Sequence, residues 1–97
     1  MHYLYLLVLN NGNIYKGITF DLKRRLGEHK RGKVLSTKNK NTKLIYYEAY
    51  LLKSDAERRE KFLKTIEGRR LIKQQLRDIF GQIRVGSPGH PTGRPVV

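Results

Sequence analysis

The stretch from Asn13 to His29 constrains the fold most, because a short strand pattern runs into a capped helix with almost no linker. Asp21 stands where an N-cap is expected, just before a pair of leucines begins an i, i+4 apolar pattern. At about 100° per residue, Arg25 and His29 fall on the same side of this helix as those leucines. The inward face therefore carries an arginine and a histidine. Either Arg25 extends its charged end to solvent and His29 is an ordinary interfacial histidine, or the two form a functional pair.

A hairpin precedes this helix. Strand formers at residues 3–9 lead through the turn signal Asn-Asn-Gly at 10–12 into a second short strand at 13–18. A two-residue turn would put Tyr5 and Tyr15 on opposite faces of the sheet, whereas a three-residue loop would put them on one face. We favour the three-residue loop, because glycine suits its left-handed last position.

The second half of the chain predicts one strand and two helices. Residues 44–50 have the composition of a third strand, which can join the hairpin sheet. Ser54 and Glu57 form a capping box that predicts the start of a helix, and Gly68 is expected to break it. Residues 69–80 then predict a further helix, which gives the order ββαβαα.

The length of 97 residues is enough for one domain of the α/β (α+β) class, and we assign residues 1–81 to it. Residues 82–97 are rich in Pro and Gly and poor in apolar side chains. They are therefore predicted to form a disordered C-terminal tail.

Glu60 is predicted on or beside the buried face of the second helix. The apolar stripe next to it consists of Leu63, Phe62 and Ile66. Burying a carboxylate alone is costly, so Glu60 should either bind a metal ion or pair with Arg25 or Arg59.

The charge of the chain restricts its partner. The sequence has 21 Lys and Arg against 8 Asp and Glu, a net charge of +13. Residues 23–43 contain nine of the basic residues and one acid. A polyanion is the expected partner, and nucleic acid is favoured over anionic membrane because the basic loop at 32–43 has only two apolar residues.

The absence of cysteine excludes disulfides and thiolate sites, so any metal must be held by oxygen or imidazole ligands. No apolar run approaches the roughly 20 residues that a membrane span needs, and the first residues lack the basic start of a signal peptide. We expect a cytoplasmic protein with no membrane partner and no small-molecule cofactor. The oligomeric state is left open.

Four groups of residues together resemble the GIY-YIG nuclease domain, in the small form similar to the N-terminal nuclease module of the excinuclease. The groups are Tyr3-Leu4-Tyr5, Tyr15-Lys16-Gly17, Arg25 with His29, and Glu60 within the basic segment 58–64. The resemblance covers residues 2–80. It implies a three-stranded antiparallel sheet flanked by helices, in a domain that cuts phosphodiester bonds with one divalent ion, Mg²⁺ or Mn²⁺.

The resemblance also implies a role for each matched residue. Tyr5 would be the general base that acts on water, Tyr15 would lie beside the scissile phosphate, and Gly17 would let the backbone and the substrate approach each other. Arg25 would stabilise the negative charge of the transition state, and His29 would form a hydrogen bond with the catalytic tyrosine. Glu60 would bind the metal ion. A phenol with its ordinary pKa near 10 is a poor base at neutral pH unless cations and hydrogen bonds stabilise the phenolate. Arg25 and His29 are available for that purpose.

The chain departs from the family pattern twice. The first triplet reads Tyr-Leu-Tyr in place of Gly-Ile-Tyr but keeps the tyrosine. The family also often has a polar residue, commonly Asn, after the metal-binding helix. Every Asn of this chain lies at or before position 41. Lys64, Thr65 or Arg69 would have to support the transition state or the metal ion in place of this Asn.

The expected nucleic-acid contacts lie outside the catalytic set, apart from the matched glycine. They are Gly17, Arg24, Lys33, Lys38, Lys40, Lys43, Arg69 and Arg70. The lysines lie on a loop expected to be flexible, where they would contact phosphates without reading bases.

Three classes of function are compatible with these observations. The first, which we favour, is a Mg²⁺-dependent endonuclease of low sequence specificity acting on DNA, with the repair or recombination role that the resemblance suggests. The second is a non-catalytic nucleic-acid-binding module that keeps the nuclease fold. The third is a basic structural or ribosome-associated protein, in which the tyrosines are ordinary strand residues.

Overall fold

The computed structural model describes residues 1–83, and residues 84–97, which make up most of the predicted tail, lie outside the described residues. The elements are, in order, β1 (His2–Val8), β2 (Ile14–Thr19), α1 (Leu22–Lys30), a 3-10 turn (Leu35–Thr37), β3 (Lys43–Tyr50), α2 (Lys53–Leu63), α3 (Ile66–Gln75) and α4 (Arg77–Gln82). The predicted order ββαβαα is confirmed, with the last predicted helix divided into α3 and α4. Gln82 belongs to α4 rather than to the tail.

The three strands form one antiparallel sheet in the order β2-β1-β3. The central strand β1 and the residue after it are buried from Leu4 to Leu9, because helices cover parts of both sheet faces. The predicted three-stranded antiparallel sheet flanked by helices is therefore confirmed.

The hairpin has the three-residue loop that we favoured. The N–H of Leu9 donates to the carbonyl oxygen of Asn13 at 2.9 Å, and the loop glycine has φ of +87°. In this register Tyr5 faces Gly17 across the strands. Because side chains alternate along a strand, Tyr5 and Tyr15 project from the same face of the sheet.

The two faces of the sheet have different partners. On one face, Leu4 and Leu6 pack with Leu63 of α2 and Ile72 of α3 in the apolar core. Tyr5 projects from the other face, which is covered by α1 and the loop that follows it. The core thus holds the sheet from one side and leaves the opposite side for the polar residues of α1.

The short link between β2 and α1 fixes the direction of the helix. As predicted, Asp21 caps α1, with its Oδ1 accepting the N–H of Arg24 at 3.1 Å. The hydroxyl oxygen of Thr19 accepts the N–H of Asp21 at 3.1 Å, so the link satisfies its own polar groups. Gly32, with φ of +75°, turns the chain after the helix ends.

The start of α2 differs from the prediction. The helix begins at Lys53, and the extended residue Leu52 is its N-cap without a side-chain hydrogen bond. Only two residues separate β3 from α2, so the chain enters the helix from the strand before Ser54 can act as a cap. The predicted capping box is therefore wrong.

The apolar stripe of α2 is narrower than predicted. Ala56 and Leu63 are fully buried, whereas Phe62 is 37% and Ile66 is 71% exposed. Because α2 ends at Leu63, its periodicity does not continue to Ile66, which begins α3. The placement of Phe62 and Ile66 in the core is wrong.

Gly68 lies inside α3 and does not end a helix. Thr65 caps α3, with its hydroxyl oxygen accepting the N–H of Gly68 at 3.0 Å. A Cβ at Gly68 would lie 1.9 Å from the carbonyl oxygen of Phe62, so only glycine lets α3 begin this close to the end of α2. Within residues 1–83, no helix has the length and apolar character needed to cross a membrane.

Candidate active site

Tyr5 is the centre of a polar cluster on the α1 face of the sheet. Its side chain is 0% exposed, and its hydroxyl oxygen lies 2.8 Å from Nε2 of His29. A Cβ at Gly17, opposite on β2, would lie only 2.6 Å from the Tyr5 hydroxyl oxygen. The space that Gly17 provides is therefore occupied by the tyrosine itself.

Three rings meet in this cluster. The ring centroids of Tyr5 and Tyr15 are 6.2 Å apart, and that of His29 lies 5.6 Å from Tyr5 and 5.0 Å from Tyr15. The hairpin register supplies the two tyrosines, and the capped helix α1 supplies the histidine. The structure therefore brings these three predicted residues together.

Thr37 is a fourth member of the cluster that the sequence analysis missed. It is 1% exposed, and its hydroxyl oxygen lies 2.7 Å from Nδ1 of His29. The Thr37 hydroxyl donates its proton to the carbonyl oxygen of Val34 at 3.4 Å. Its oxygen is therefore the acceptor for a proton on Nδ1 of His29. With hydrogens assigned in this way, Nε2 of His29 accepts the hydroxyl proton of Tyr5.

Burial controls the protonation of the cluster. Burial, followed by the positive charge of Arg25, lowers the pKa of His29 below its ordinary value, so the ring is neutral at pH 7. Burial raises the pKa of Tyr5 to about 12, although the Arg25 guanidinium acts in the opposite direction. The cation expected to stabilise a phenolate is present, but it is outweighed by desolvation, and Tyr5 is protonated in this state.

Arg25 borders both tyrosines from α1. Its Nη1 donates to Oε1 of Glu28 at 3.0 Å, and its side chain is 35% exposed. Hydrogen bonding to Glu28, and then to Tyr5, raises its pKa. The guanidinium is thus held in place by a carboxylate and keeps N–H groups that can bind an anion.

Glu60 lies on α2, which packs on the opposite face of the sheet from Tyr5. Its side chain is 21% exposed, and one carboxylate oxygen lies 3.3 Å from Nζ of Lys64. The predicted ion-pair partners Arg25 and Arg59 are wrong, because they bond to Glu28 and to a glutamate of β3 instead. Within residues 1–83, no ion pair or hydrogen bond joins Glu60 to the tyrosine and histidine cluster.

Cations surround the region of Glu60. Burial lowers the pKa of Lys16 on β2, and so do the positive charges of Arg69, Lys64 and Lys73. These basic groups lie close enough to interact, so an anion at this edge of the sheet would be stabilised by several of them. Lys64 and Arg69 are two of the three residues suggested for the position of the family's downstream Asn.

Glu60 offers a metal ion one carboxylate, which Lys64 occupies in this structure. A carboxylate is a ligand that Mg²⁺ prefers, and this ion keeps several waters when the protein offers few oxygens. No group of three or more His, Cys, Asp or Glu side chains in residues 1–83 could hold a metal ion. The side chain of Lys64 is 55% exposed, so its ammonium can leave the carboxylate with little loss of packing.

The predicted nucleic-acid residues are distributed over four places, and one of them, Gly17, lies on β2 against Tyr5. Arg24 is paired with Glu28 at 2.6 Å, and Arg69 and Arg70 lie exposed on α3. The remaining predicted residues lie on or next to the loop after α1 and are Lys33, Lys38, Lys40 and Lys43.

That loop has more structure than predicted. It contains the 3-10 turn, and Val34 and Thr37 are buried within it. The N–H of Asn10 donates to the carbonyl oxygen of Lys40 at 2.8 Å, which ties the loop to the hairpin. These attachments place the loop lysines on a defined surface instead of a flexible one.

A half-buried carboxylate on β3 is a second feature that the sequence analysis missed. Glu48 accepts hydrogen bonds from the hydroxyls of Tyr46 and Tyr50 at 2.6 and 2.5 Å and from Nη2 of Arg59 at 3.0 Å. The alternation of Tyr46, Glu48 and Tyr50 along the strand was a signal for a shared face. The ion pair ties α2 to the sheet and so helps to hold the helix that carries Glu60.

The fold and the site define a small α+β domain in which two tyrosines, a histidine and an arginine meet on one face of a three-stranded sheet. The GIY-YIG catalytic domain family model matches residues 1–73. The chain therefore belongs to the GIY-YIG family, whose members are of the nuclease type.

Similar proteins agree with this assignment. A UPF0213 protein of Staphylococcus epidermidis is 34% identical over 74 residues, covering 74% of this chain and 90% of the relative. A UPF0213 protein of Streptococcus agalactiae is 39% identical over 64 residues, covering 64% of this chain and 73% of the relative. The solution NMR structure of the UPF0213 protein BH0048 from Bacillus halodurans has a TM-score of 0.51 and 29% identity, covering 95% of this chain and 98% of that chain.

Proposed function

We propose that this chain is an endonuclease that hydrolyses phosphodiester bonds in DNA with low sequence specificity, using one Mg²⁺ or Mn²⁺ ion. The observation that carries the proposal is the series of hydrogen bonds from Tyr5 through His29 to Thr37, with Arg25 beside it. A protected route for a proton next to a fixed cation is what hydrolysis of a phosphodiester requires. A role in DNA repair or recombination is part of the proposal and rests on the likeness to the nuclease module of the excinuclease.

In this proposal Tyr15 is the tyrosine that meets water and phosphate, because it is half-buried whereas Tyr5 is fully buried. The water oxygen bonds to phosphorus as the bond to the leaving oxygen breaks. The proton released by the water passes through Tyr15 and Tyr5 to Nε2 of His29. A phosphodiester bound at Arg25 offsets the positive charge that otherwise disfavours the imidazolium.

Arg25 and Glu60 have separate tasks in the proposal. The Arg25 guanidinium, already oriented by Glu28, donates N–H groups to the phosphoryl oxygens as negative charge develops on them. Glu60, one turn after Glu57 on α2, would hold the divalent ion near the β2 edge of the sheet, where Arg25 and Glu57 line one cavity. There the ion would supply further positive charge to a phosphodiester that reaches this edge. Lys64 releases the Glu60 carboxylate for this purpose.

A plasmid-nicking assay tests the proposal. The wild-type chain should nick supercoiled DNA with Mg²⁺ and lose this activity in EDTA, and Tyr15→Phe should remove it as well. Tyr47→Phe is the matched control, because Tyr47 projects from the same sheet face but is 52% exposed and outside the cluster. Nicking by Tyr15→Phe at the wild-type rate would contradict the assigned role of this hydroxyl.

A non-catalytic nucleic-acid-binding module is the second candidate. The ion pair between Glu60 and Lys64 favours it, because the carboxylate already has a cationic partner in the absence of metal. This candidate predicts DNA binding that needs no metal, survives Glu60→Gln and is never followed by cleavage.

A further inference from the structure

A groove lies on the same sheet face as Tyr5, on the side of α1 that faces away from Arg25 and His29. Its floor consists of Leu7, Leu26 and Leu44, and its rim consists of Lys23, Lys30 and Lys43. The cavity has a volume of about 380 Å³. Leu7 is 1% exposed, whereas the three lysines are exposed, so the groove combines an apolar base with a cationic edge.

The three lysines of the rim have charges that nothing in the described chain neutralises. Within residues 1–83, none of them forms an ion pair. On the other side of α1, by contrast, Arg24 and Arg25 both bond to Glu28. No residue lining the lysine groove is acidic, so an anion is the partner that its charge fits.

The spacing of the lysines favours an extended anion over a single phosphate. Lys23 and Lys30 are seven residues apart on α1, which is about 10.5 Å along the helix axis at 1.5 Å per residue. This separation is larger than one phosphate group, so the two lysines suit an anion that extends over several phosphates. The apolar floor can contact sugar carbons between the phosphates.

We propose that the groove bounded by Lys23, Lys30 and Lys43 binds the phosphodiester backbone of the nucleic acid beyond the scissile bond. At 100° per residue these α1 lysines lie about 130° around the helix from Arg25 and His29. A strand that leaves the reaction site across α1 therefore meets them next. The inference rests on the proposed function, because that function supplies the nucleic acid.

Binding in EDTA tests the groove separately from catalysis. The affinity for a short fluorescein-labelled DNA duplex is measured by anisotropy over a series of salt concentrations. Each phosphate contact contributes about 0.9 to the slope of log affinity against log salt, so the triple variant K23Q/K30Q/K43Q should reduce the slope by about 2.7. The control R58Q/K61Q/R77Q removes the same charge from exposed residues of α2 and α4 and should leave the slope nearly unchanged.

An NMR titration gives a second readout that needs no variant. With the same duplex in EDTA, the amide of Gly27, which lines the groove, should shift, while the amide of Gly81 on α4 should not. An unchanged slope in the groove variant, an equal loss in the control, or a silent Gly27 would overturn the groove. The proposal would also be overturned if the groove variant lost binding to phosphatidylserine vesicles but kept its DNA binding, because the groove would then bind a membrane surface.

The two proposals can fail independently. If the wild-type chain nicks DNA but the groove variant keeps the full salt slope, only the groove is refuted. If the slope falls as expected but no condition gives cleavage, only the nuclease function is refuted.

Discussion

Gly17→Ala is the change whose effect can be worked out most directly. The new Cβ would lie 2.6 Å from the hydroxyl oxygen of Tyr5, 2.7 Å from its Cζ and 3.0 Å from its Cε1. These distances are well inside an ordinary van der Waals contact, so one of the two residues must move. Tyr5 is 0% exposed and held between Tyr15 and His29, so it has no open space into which it can turn.

The expected loss of stability combines two opposing terms. Overpacking of a tight core site costs about 1–3 kcal/mol. Replacing a strand glycine by alanine returns about 0.5–1 kcal/mol of backbone entropy. Taking the middle of each range, the free energy of unfolding should fall by about 1.3 kcal/mol, which lowers the melting temperature of a domain of this size by about 5–10 °C. Displacement of the Tyr5 hydroxyl from His29 should also reduce nicking.

Thermal melts and urea titrations followed by circular dichroism measure the stability change. Gly81→Ala is the matched control, because a Cβ at that position in α4 would meet no atom of residues 1–83 within 4 Å beyond its own helical turn. It should leave the melting temperature unchanged or raise it, since alanine is the better helix former. A Gly17→Ala protein as stable and as active as the wild type would refute the account of the Tyr5 site.

Three further predictions concern the polar groups that surround the site. Thr37→Val should lower nicking and change the tautomer of His29 observed by ¹⁵N NMR, whereas Thr37→Ser should keep both near wild type. Because the pKa of His29 is lowered in the folded state, the unfolded chain takes up a proton first as the pH falls. The stability measured by urea titration should therefore be full above pH 6.5 and decline below it, and His29→Gln should flatten this decline. Glu48→Gln breaks a pair whose carboxylate side chain is 15% exposed and should cost about 3 kcal/mol in a urea titration. Its surface control Asp55→Asn should cost less than about 1 kcal/mol.

Local signals predicted the part of the site that comes from the hairpin and α1. The glycine of the loop specifies a left-handed residue, which fixes the register and therefore the shared face of Tyr5 and Tyr15. Asp21 specifies the first residue of α1, which fixes the side that His29 presents to the sheet. Each of these depends on residues close together in the chain, where backbone preferences decide the outcome.

The misses depend on how one element of the fold packs against the next. Gly68 looks like a helix breaker from its propensity, but the carbonyl oxygen of Phe62 requires a residue without Cβ inside α3. Thr37 is one polar residue in a Lys- and Asn-rich loop, and only the position of His29 makes it a buried partner. The pairing of Glu48 with Arg59 likewise follows from the packing of α2 on β3, which no periodic pattern specifies.

Metal-dependent nicking by Glu60→Gln tests the nuclease proposal most directly. Within residues 1–83 the Glu60 carboxylate pairs only with the exposed Lys64, an i, i+4 pair worth about 0.3–0.5 kcal/mol, so the variant should melt within a few degrees of the wild type. It should also bind DNA in EDTA like the wild type and yet give no nicked plasmid with Mg²⁺ or Mn²⁺. Retained metal-dependent nicking by the folded variant would contradict the proposal that Glu60 holds the catalytic ion.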